Sequence, residues 1–403
     1  MTKYIKYCTC CVMPETKPDL YIDAEGVCNA CRNFEQRQEI DWTKRKQELQ
    51  QILERYRSKN SSNYDCIVPV SGGKDSHFQV LKMLELGMNP ICVTATTDKL
   101  SDIGERNIQN LKNLGVDYIE VTVNPQVRRK INRLGLTEIG DISWTEHVTI
   151  FTVPVRLAVQ LNVPLIIWGE NSQNEYGGPV AAAQNNTLTR RWLEEFGGLL
   201  GLRVTDLIGQ EGIEAKHLIQ YSYPADEDLQ RVEVTGLFLG YYAPWDGYHN
   251  ALYAQAHGFE TYHKTVEGSI VNYENLDNCQ TGIHDYFKFL KYGFGRSTDI
   301  ACLHLRRGRL TRDEAIKLVK MHDGKFPWVY LGCSLEEILQ EIDMSVEEFI
   351  QVCDRFTNKK LFLCDSKGNL VKDKNGNLTK INYDNIIANP EDIKLTTNQA
   401  LVS

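Results

Sequence analysis

The sequence is short of several things, and each shortage excludes a class of protein. No run of about 18 apolar residues occurs, so no helix is expected to cross a bilayer. The opening Met1-Thr2-Lys3-Tyr4-Ile5-Lys6-Tyr7 lacks the apolar core of a secretory leader. A cytoplasmic chain with no membrane insertion and with reduced thiols is the expectation. Positive charge is in deficit, with 45 Lys and Arg against 53 Asp and Glu, a formal net charge of −8. That balance disfavours a nucleic acid partner, whose phosphates demand clustered cations. The two marked basic runs, Arg128-Arg129-Lys130 and Arg306-Arg307-Gly308-Arg309, read as solvated helix faces. Internal repeats and low-complexity tracts are lacking too. What remains, 42% hydrophobic and 24% charged residues over 403 positions, is the composition of a globular enzyme of two or three domains.

Twelve cysteines are too few for a disulfide scaffold of this length, yet five fall within the first 31 residues. Cys8 and Cys11 form one CxxC pair and Cys28 and Cys31 another, with 16 residues between them. Four thiolates in two such knuckles suit a closed, tetrahedral, structural Zn2+; redox or iron–sulfur use of the same thiols is the alternative. So small a segment buries no core of its own, which makes a metal the natural fastening. Cys10 breaks the spacing and reads as a bystander, while Cys66 and Cys92 read as small buried hydrophobes.

Leu49, Ile52, Leu53 and Tyr56 recur at helical spacing and predict an amphipathic helix over 41–57, ended by Ser58-Lys59-Asn60-Ser61-Ser62-Asn63. Beyond it, β-rich runs at 65–70, 91–97, 118–123, 165–168 and 232–239 alternate with helical patterns at 77–86, 102–114 and 153–160. Such alternation predicts an α/β fold, a doubly wound parallel sheet whose ligands sit at the carboxyl ends of its strands. Pro69 removes a ladder donor, so the first strand is expected to stop pairing just before its loop. The chain then divides into a zinc-ribbon-like four-cysteine module (1–40), a linking helix (41–64), a nucleotide domain (65–300) and a mainly helical C-terminal region (301–403). An insertion at about 177–228 in the third part reads as a lid or substrate-binding element, or as an irregular helical excursion. Thr311 with Glu314, Ser334 with Glu337 and Ser345 with Glu348 predict capping boxes, and Asn375-Gly376 a hairpin.

Most of the chemistry lies in Ser71-Gly72-Gly73-Lys74-Asp75-Ser76, between the first strand and its helix. Two glycines admit close backbone approach, successive amides at a helix start supply positive potential, and Ser71 and Ser76 add hydroxyls, making an anion cradle. The spacing is not that of a Walker loop, so γ-phosphate transfer is not the inference. This loop resembles that of the PP-loop ATP pyrophosphatases, of adenine nucleotide α-hydrolase-like fold. The resemblance implies cleavage of ATP between its α- and β-phosphates, AMP transfer to a carbonyl oxygen, and an adenine site near Val93, Thr94 and Thr96.

A narrower resemblance spans nearly the whole chain. Cys8 to Cys11 with Val12-Met13-Pro14-Glu15-Thr16-Lys17-Pro18-Asp19, Gly26-Val27-Cys28-Asn29-Ala30-Cys31, the glycine loop, Gly169-Glu170-Asn171 with Glu175-Tyr176-Gly177, and Tyr292-Gly293-Phe294-Gly295-Arg296 together resemble the N-acetyl sugar amidotransferases. That family is associated with lipopolysaccharide O-antigen and with pseudaminic and legionaminic sugars on flagellin. It implies conversion of the N-acetyl group of a nucleotide-activated sugar to an acetamidino group, with ATP, Mg2+ and ammonia from a separate glutaminase subunit. Lys74 would offset charge on pyrophosphate, and Asp75 would anchor Mg2+ or, alternatively, cap the helix. Glu170, after Gly169, would steer ammonia, take a proton or bind Mg2+, or merely hold structure. Glu175 and Tyr176 resemble residues lining the crevice, and Arg296, with Lys291 near it, would reach the pyrophosphate or remain a solvated surface residue. His147 and His249 read as ordinary core or rim histidines. A built-in glutaminase nucleophile is missing: position 2 is Thr, and Gly332-Cys333-Ser334 lacks a second glycine and begins a capped helix instead of following a strand. A tRNA thiolase of the PP-loop superfamily is the alternative, and it needs positive surface that a net charge of −8 does not favour.

Overall fold

Short runs of Ile, Val, Leu and Cys form five strands: β1 (Cys66–Pro69), β2 (Pro90–Ala95), β3 (Asp117–Val121), β4 (Leu165–Trp168) and β5 (Thr235–Phe238). The computed structural model describes residues 5–97, 99–171, 175, 186–187 and 199–381. All five strands are parallel, in the order β3-β2-β1-β4-β5. Because side chains alternate along a strand, β1 serves two cores. Cys66 and Val68 meet Phe78, Val80 and Met83 of α3 (Lys74–Glu85) and Leu49 and Leu53 of α2 (Trp42–Tyr56). On the other face Ile67, Ile91 and Val93 meet Val153, Val155 and Ala158 of α6 (Trp144–Leu161). The doubly wound α/β sheet expected from the alternation is thus present.

Among the described residues the remaining α-helices are α1 (Asn29–Arg37), α4 (Asp102–Lys112), α5 (Pro125–Leu134), α7 (Asp226–Val232), α8 (Leu239–Tyr242), α9 (Gly247–Gln255), α10 (Thr281–Tyr292), α11 (Arg296–Arg306), α12 (Arg312–His322), α13 (Leu335–Gln340) and α14 (Val346–Phe356). The C-terminal region is mainly helical, and its Phe349 and Phe362 pack with Phe287 and Phe289 of α10 in a core that also takes in Ile103 of α4, Leu136 and Ile142. Among the described residues no helix is long and apolar enough to cross a membrane.

The strand β1 ends at Pro69, directly before its loop as expected, with one further backbone bond from the Val70 N–H to the Val93 carbonyl at 2.9 Å. Several other expectations need correction. Helix α6 begins nine residues before the expected 153, because burial of Trp144, Val148 and Thr152 overrides the poor helix propensity of its β-branched stretch. Thr311 and Ser334 form reciprocal capping boxes with Glu314 and Glu337, whereas Ser345 caps without the return bond: the Glu348 carboxylate is bonded to Arg133 at 2.5 Å. The Asn375-Gly376 turn forms, with the Asp373 carboxylate accepting from Asn375 and Asn377. The same Asp-x-x-Gly-Asn-Leu turn occurs eight residues earlier at Asp365, so the chain does hold a short internal repeat.

The first basic run is solvated at Arg129 and Lys130 but not at Arg128, and Arg307 and Arg309 of the second run are half-buried and paired. Arg128 is 3% exposed, Arg129 pairs with Asp343, Arg307 pairs with Glu175 and Asp246, and Arg309 pairs with Asp246. Gly332-Cys333-Ser334 does follow a strand, the short antiparallel hairpin of Val329–Tyr330 with Cys333–Ser334. Cys333 is not a free thiol, being bonded to Cys279. Of the 177–228 insertion, the described part holds 3-10 turns whose Leu207, Ile213, Leu218 and Tyr221 share a core with Trp144 and Val148 of α6; the rest lies outside the described residues.

Candidate active site and four-cysteine centre

Strands β1 and β4 are neighbours whose connections leave in opposite directions, and a cavity of about 490 Å³ opens at their carboxyl ends. The loop after β1 forms one wall. Gly72 has φ +88°, and a Cβ there would lie 2.8 Å from the Ile108 side chain, so only glycine fits. The Ser71 N–H donates to the Ser76 hydroxyl at 2.9 Å, which closes the loop over the first turn of α3. Amides at that turn have no intrahelical acceptor and carry the positive end of the helix.

Ser71, Asp75 and Ser76 line the cavity, while Lys74 turns beneath the loop. Its Nζ lies 2.5 Å from Asp75 and 2.9 Å from Glu274. Burial opposes the Lys74 charge, and these two carboxylates more than offset it, holding the ammonium protonated well above its usual range. Asp75 also accepts from Asn250 at 2.8 Å, and among the described residues no helix amide donates to its carboxylate, which keeps lone pairs for a further partner. Val93, Thr94 and Thr96 line the cavity from the end of β2, where the Thr94 hydroxyl donates to the Val70 carbonyl.

Gly169 and Glu170 follow β4. A Cβ on Gly169 would lie 2.4 Å from the Gln79 amide. With its oxygen toward the Gly169 N–H at 2.7 Å and its nitrogen toward the Pro69 carbonyl at 3.2 Å, Gln79 ties the ends of β1 and β4 together. Burial pushes the Glu170 carboxyl up to about 7, and the charge of Asp75 across the cavity adds to the rise.

One of the expected residues stands elsewhere. Glu175 is held by Arg37 and Arg307 off the cavity wall, and Tyr176 lies outside the described residues. Arg296 lines the cavity but is gripped by Asp285 at 3.0 and 3.2 Å, at the border with a second cavity of about 380 Å³. Lys291 donates to the carbonyls of Ile139 and Gly140 and lines a third cavity. Cavity groups absent from the sequence reading include Asp277, whose carboxyl burial pushes up, and His284, while His147, expected to be an ordinary core or rim histidine, also lines the cavity. Asp277 sits in a stretch without periodicity; its only signal was the Asn/Asp-rich run Asn275-Leu276-Asp277-Asn278.

Cys8, Cys11, Cys28 and Cys31 converge and are all buried, and Cys10 is exposed. Their sulfurs are 3.9 Å (Cys8 to Cys31) and 3.7 Å (Cys11 to Cys28) apart. A tetrahedron with Zn–S bonds of about 2.3 Å has edges of about 3.8 Å, so the residues fit zinc. Four thiolates around Zn2+ leave two negative charges, and Arg306 answers them. It is buried, faces Cys11, Cys302, Cys31 and Cys28, and its Nε and Nη2 have no hydrogen-bond partner among the described residues.

Residues 259–373 match the protein family described as "LPS biosynthesis protein WbpG-like, C-terminal domain". The match covers less than a third of the chain, so the similarity is that of this segment alone. The matched segment supplies Glu274, Asp277, His284 and Arg296 to the cavity region, whereas the glycine loop and Glu170 precede it. Among curated proteins no match was found. Among solved structures the chain is similar to an NMN synthetase from Francisella tularensis, at 12% identity over 48% of this chain and 92% of that one, with a TM-score of 0.26.

Proposed function

We propose that this chain is the ATP-dependent synthetase subunit of an N-acetyl sugar amidotransferase that builds acetamidino sugars for the bacterial surface. The observation that carries the reading is the pairing of an anion-cradling loop with two carboxylates, Asp75 and Glu170, across one cavity at the β1/β4 switch point. The WbpG-like match supports a sugar of lipopolysaccharide biosynthesis as the substrate class.

An amide carbonyl is a poor electrophile and needs activation. Attack of the N-acetyl oxygen on the α-phosphate of ATP forms an O-adenylyl imidate and releases pyrophosphate. Ammonia then adds to the imidate carbon, and AMP departs with the former carbonyl oxygen, leaving the amidine. The loop amides receive phosphate oxygens, and Val93, Thr94 and Thr96 offer the wall for adenine. Bound Mg2+, for which Asp75 is the nearest suitable ligand on the loop, would supply charge neutralisation for pyrophosphate. Buried Lys74 positions Asp75 instead of touching phosphate. Glu170 takes the proton released when ammonia adds, a task suited to a carboxyl near 7. A separate glutaminase subunit supplies the ammonia.

Incubation with ATP, Mg2+, ammonium and a panel of nucleotide-activated N-acetyl sugars should yield AMP, pyrophosphate and a sugar lighter by the difference between O and NH in mass spectrometry. Thiolated tRNA as the only product would overturn the reading. At constant free ammonia, turnover should rise with pH through about 7 as Glu170 ionises, and Glu170→Gln should lose that limb along with most of the rate. A pH profile unchanged by Glu170→Gln would remove Glu170 from the proton path.

A further inference from the structure

Asp141, His147 and His284 meet from three places: the turn before α6, the first turn of α6 and the first turn of α10. The Nδ1 of His147 is 3.1 Å from one Asp141 oxygen, and the Nδ1 of His284 is 2.8 Å from the other. One ligand atom from each of the three lies within 4.8 Å of the others. Asp141 is 3% exposed, with the Ser143 N–H donating to it at 3.0 Å, while the imidazoles are 24% and 28% exposed. Both histidines line the main cavity and also the third cavity of about 280 Å³, so the cluster stands at the partition between the two.

We propose that Asp141, His147 and His284 bind a divalent transition-metal ion of the zinc class, with a coordination position open toward the cavity. A hydrogen-bonded Asp–His pair needs one imidazole; here two aim a ring nitrogen at the two oxygens of one buried carboxylate that has no Lys or Arg hydrogen-bond partner among the described residues. Two imidazoles and a carboxylate suit zinc or ferrous iron far better than Mg2+ or Ca2+, which favour oxygen ligands throughout. Three protein ligands, unlike the closed four-sulfur centre, leave room for a water or a substrate oxygen. The Ser143 amide fixes the carboxylate as outer partners of metal ligands do. The site stands on its own geometry and does not depend on the amidation chemistry.

The test counts metal, not turnover. Full-length protein loaded with zinc and freed of excess should hold two ions per chain; His147→Ala, His284→Ala and Asp141→Asn should each hold one. After cobalt loading, the sulfur centre should show thiolate-to-cobalt charge-transfer bands, and these should survive in His147→Ala while part of the visible ligand-field absorption is lost. If His284→Ala does not fold, as judged by circular dichroism, the half-open His147 provides His147→Gln as a second variant with the same expected loss. One ion per chain in the wild type after loading with zinc, iron(II), manganese(II) or cobalt(II), unchanged in His147→Ala, would overturn the proposal and leave a hydrogen-bonded Asp–His cluster.

Discussion

Asp75→Ala should lower pyrophosphate release by at least ~100-fold while the protein stays folded, the scale expected when one preorganised partner of a developing charge is removed. Folding is protected because Lys74, the buried cation that Asp75 accompanies, keeps Glu274 at 2.9 Å. Asp75 is itself 27% exposed at its side chain and faces the cavity, so its truncation opens no core. Asp75→Asn separates charge from position. The amide keeps an oxygen for the Asn250 donor, which now lies 2.8 Å from Asp75, but loses the negative charge a cation requires. Equal loss in both variants assigns the role to charge; near-normal release by Asp75→Asn would reduce Asp75 to a residue that shapes the loop. Normal release by Asp75→Ala, measured with a coupled pyrophosphatase assay, would take it out of the active set.

The parts of this protein that were readable in the sequence are those written in local spacing. Alternating apolar runs placed all five strands to within a few residues, and two CxxC pairs named the four sulfurs that converge. The glycine loop was readable because positive φ at Gly72 and close approach to Ile108 demand glycine there. What escaped depends on pairings across long stretches of chain. His284 lies 143 residues from Asp141, and Glu274 lies 200 residues from the Lys74 it neutralises. No periodicity records such meetings. The run from Arg306 to Arg309 departs from its expected solvated face for the same reason: a cluster of like charges looks solvated until the carboxylates and thiols that bury it are known.

Those arginines also join the cysteine centre to the cavity. Arg37 ends α1, the helix that starts directly after Cys28, and pairs with Glu175; Arg307 of the neighbouring C-terminal region holds the same carboxylate. Glu175 lies five positions after Glu170. The cysteine module is therefore anchored beside the segment that carries Glu170, and its integrity bears on the cavity as well as on itself.

Cys28→Ser should accordingly remove the sulfur-bound zinc, unfold the module at a lower temperature than the sheet, and reduce turnover without abolishing the α/β fold. Residues near the four sulfurs bury little among themselves: Val12, Met13 and Val27 share a core with Phe294 and with Ile316 and Val319 of α12. A structural zinc contributes on the order of 10 kcal/mol at neutral pH, as much as the whole stability of a typical domain, so nothing else in the module replaces it. The sheet has separate cores on its two faces and should survive. Loss of the ion also leaves Arg306 buried without the thiolates that balance it, which should loosen α11 and, through it, the docking surface of the module. Metal analysis, calorimetry and limited proteolysis together read this: one zinc fewer per chain, a new early transition, and cleavage confined to the first forty or so residues. Unchanged zinc content in Cys28→Ser would reject the four-sulfur site, and a single cooperative loss of both module and sheet would show that the two are one folding unit.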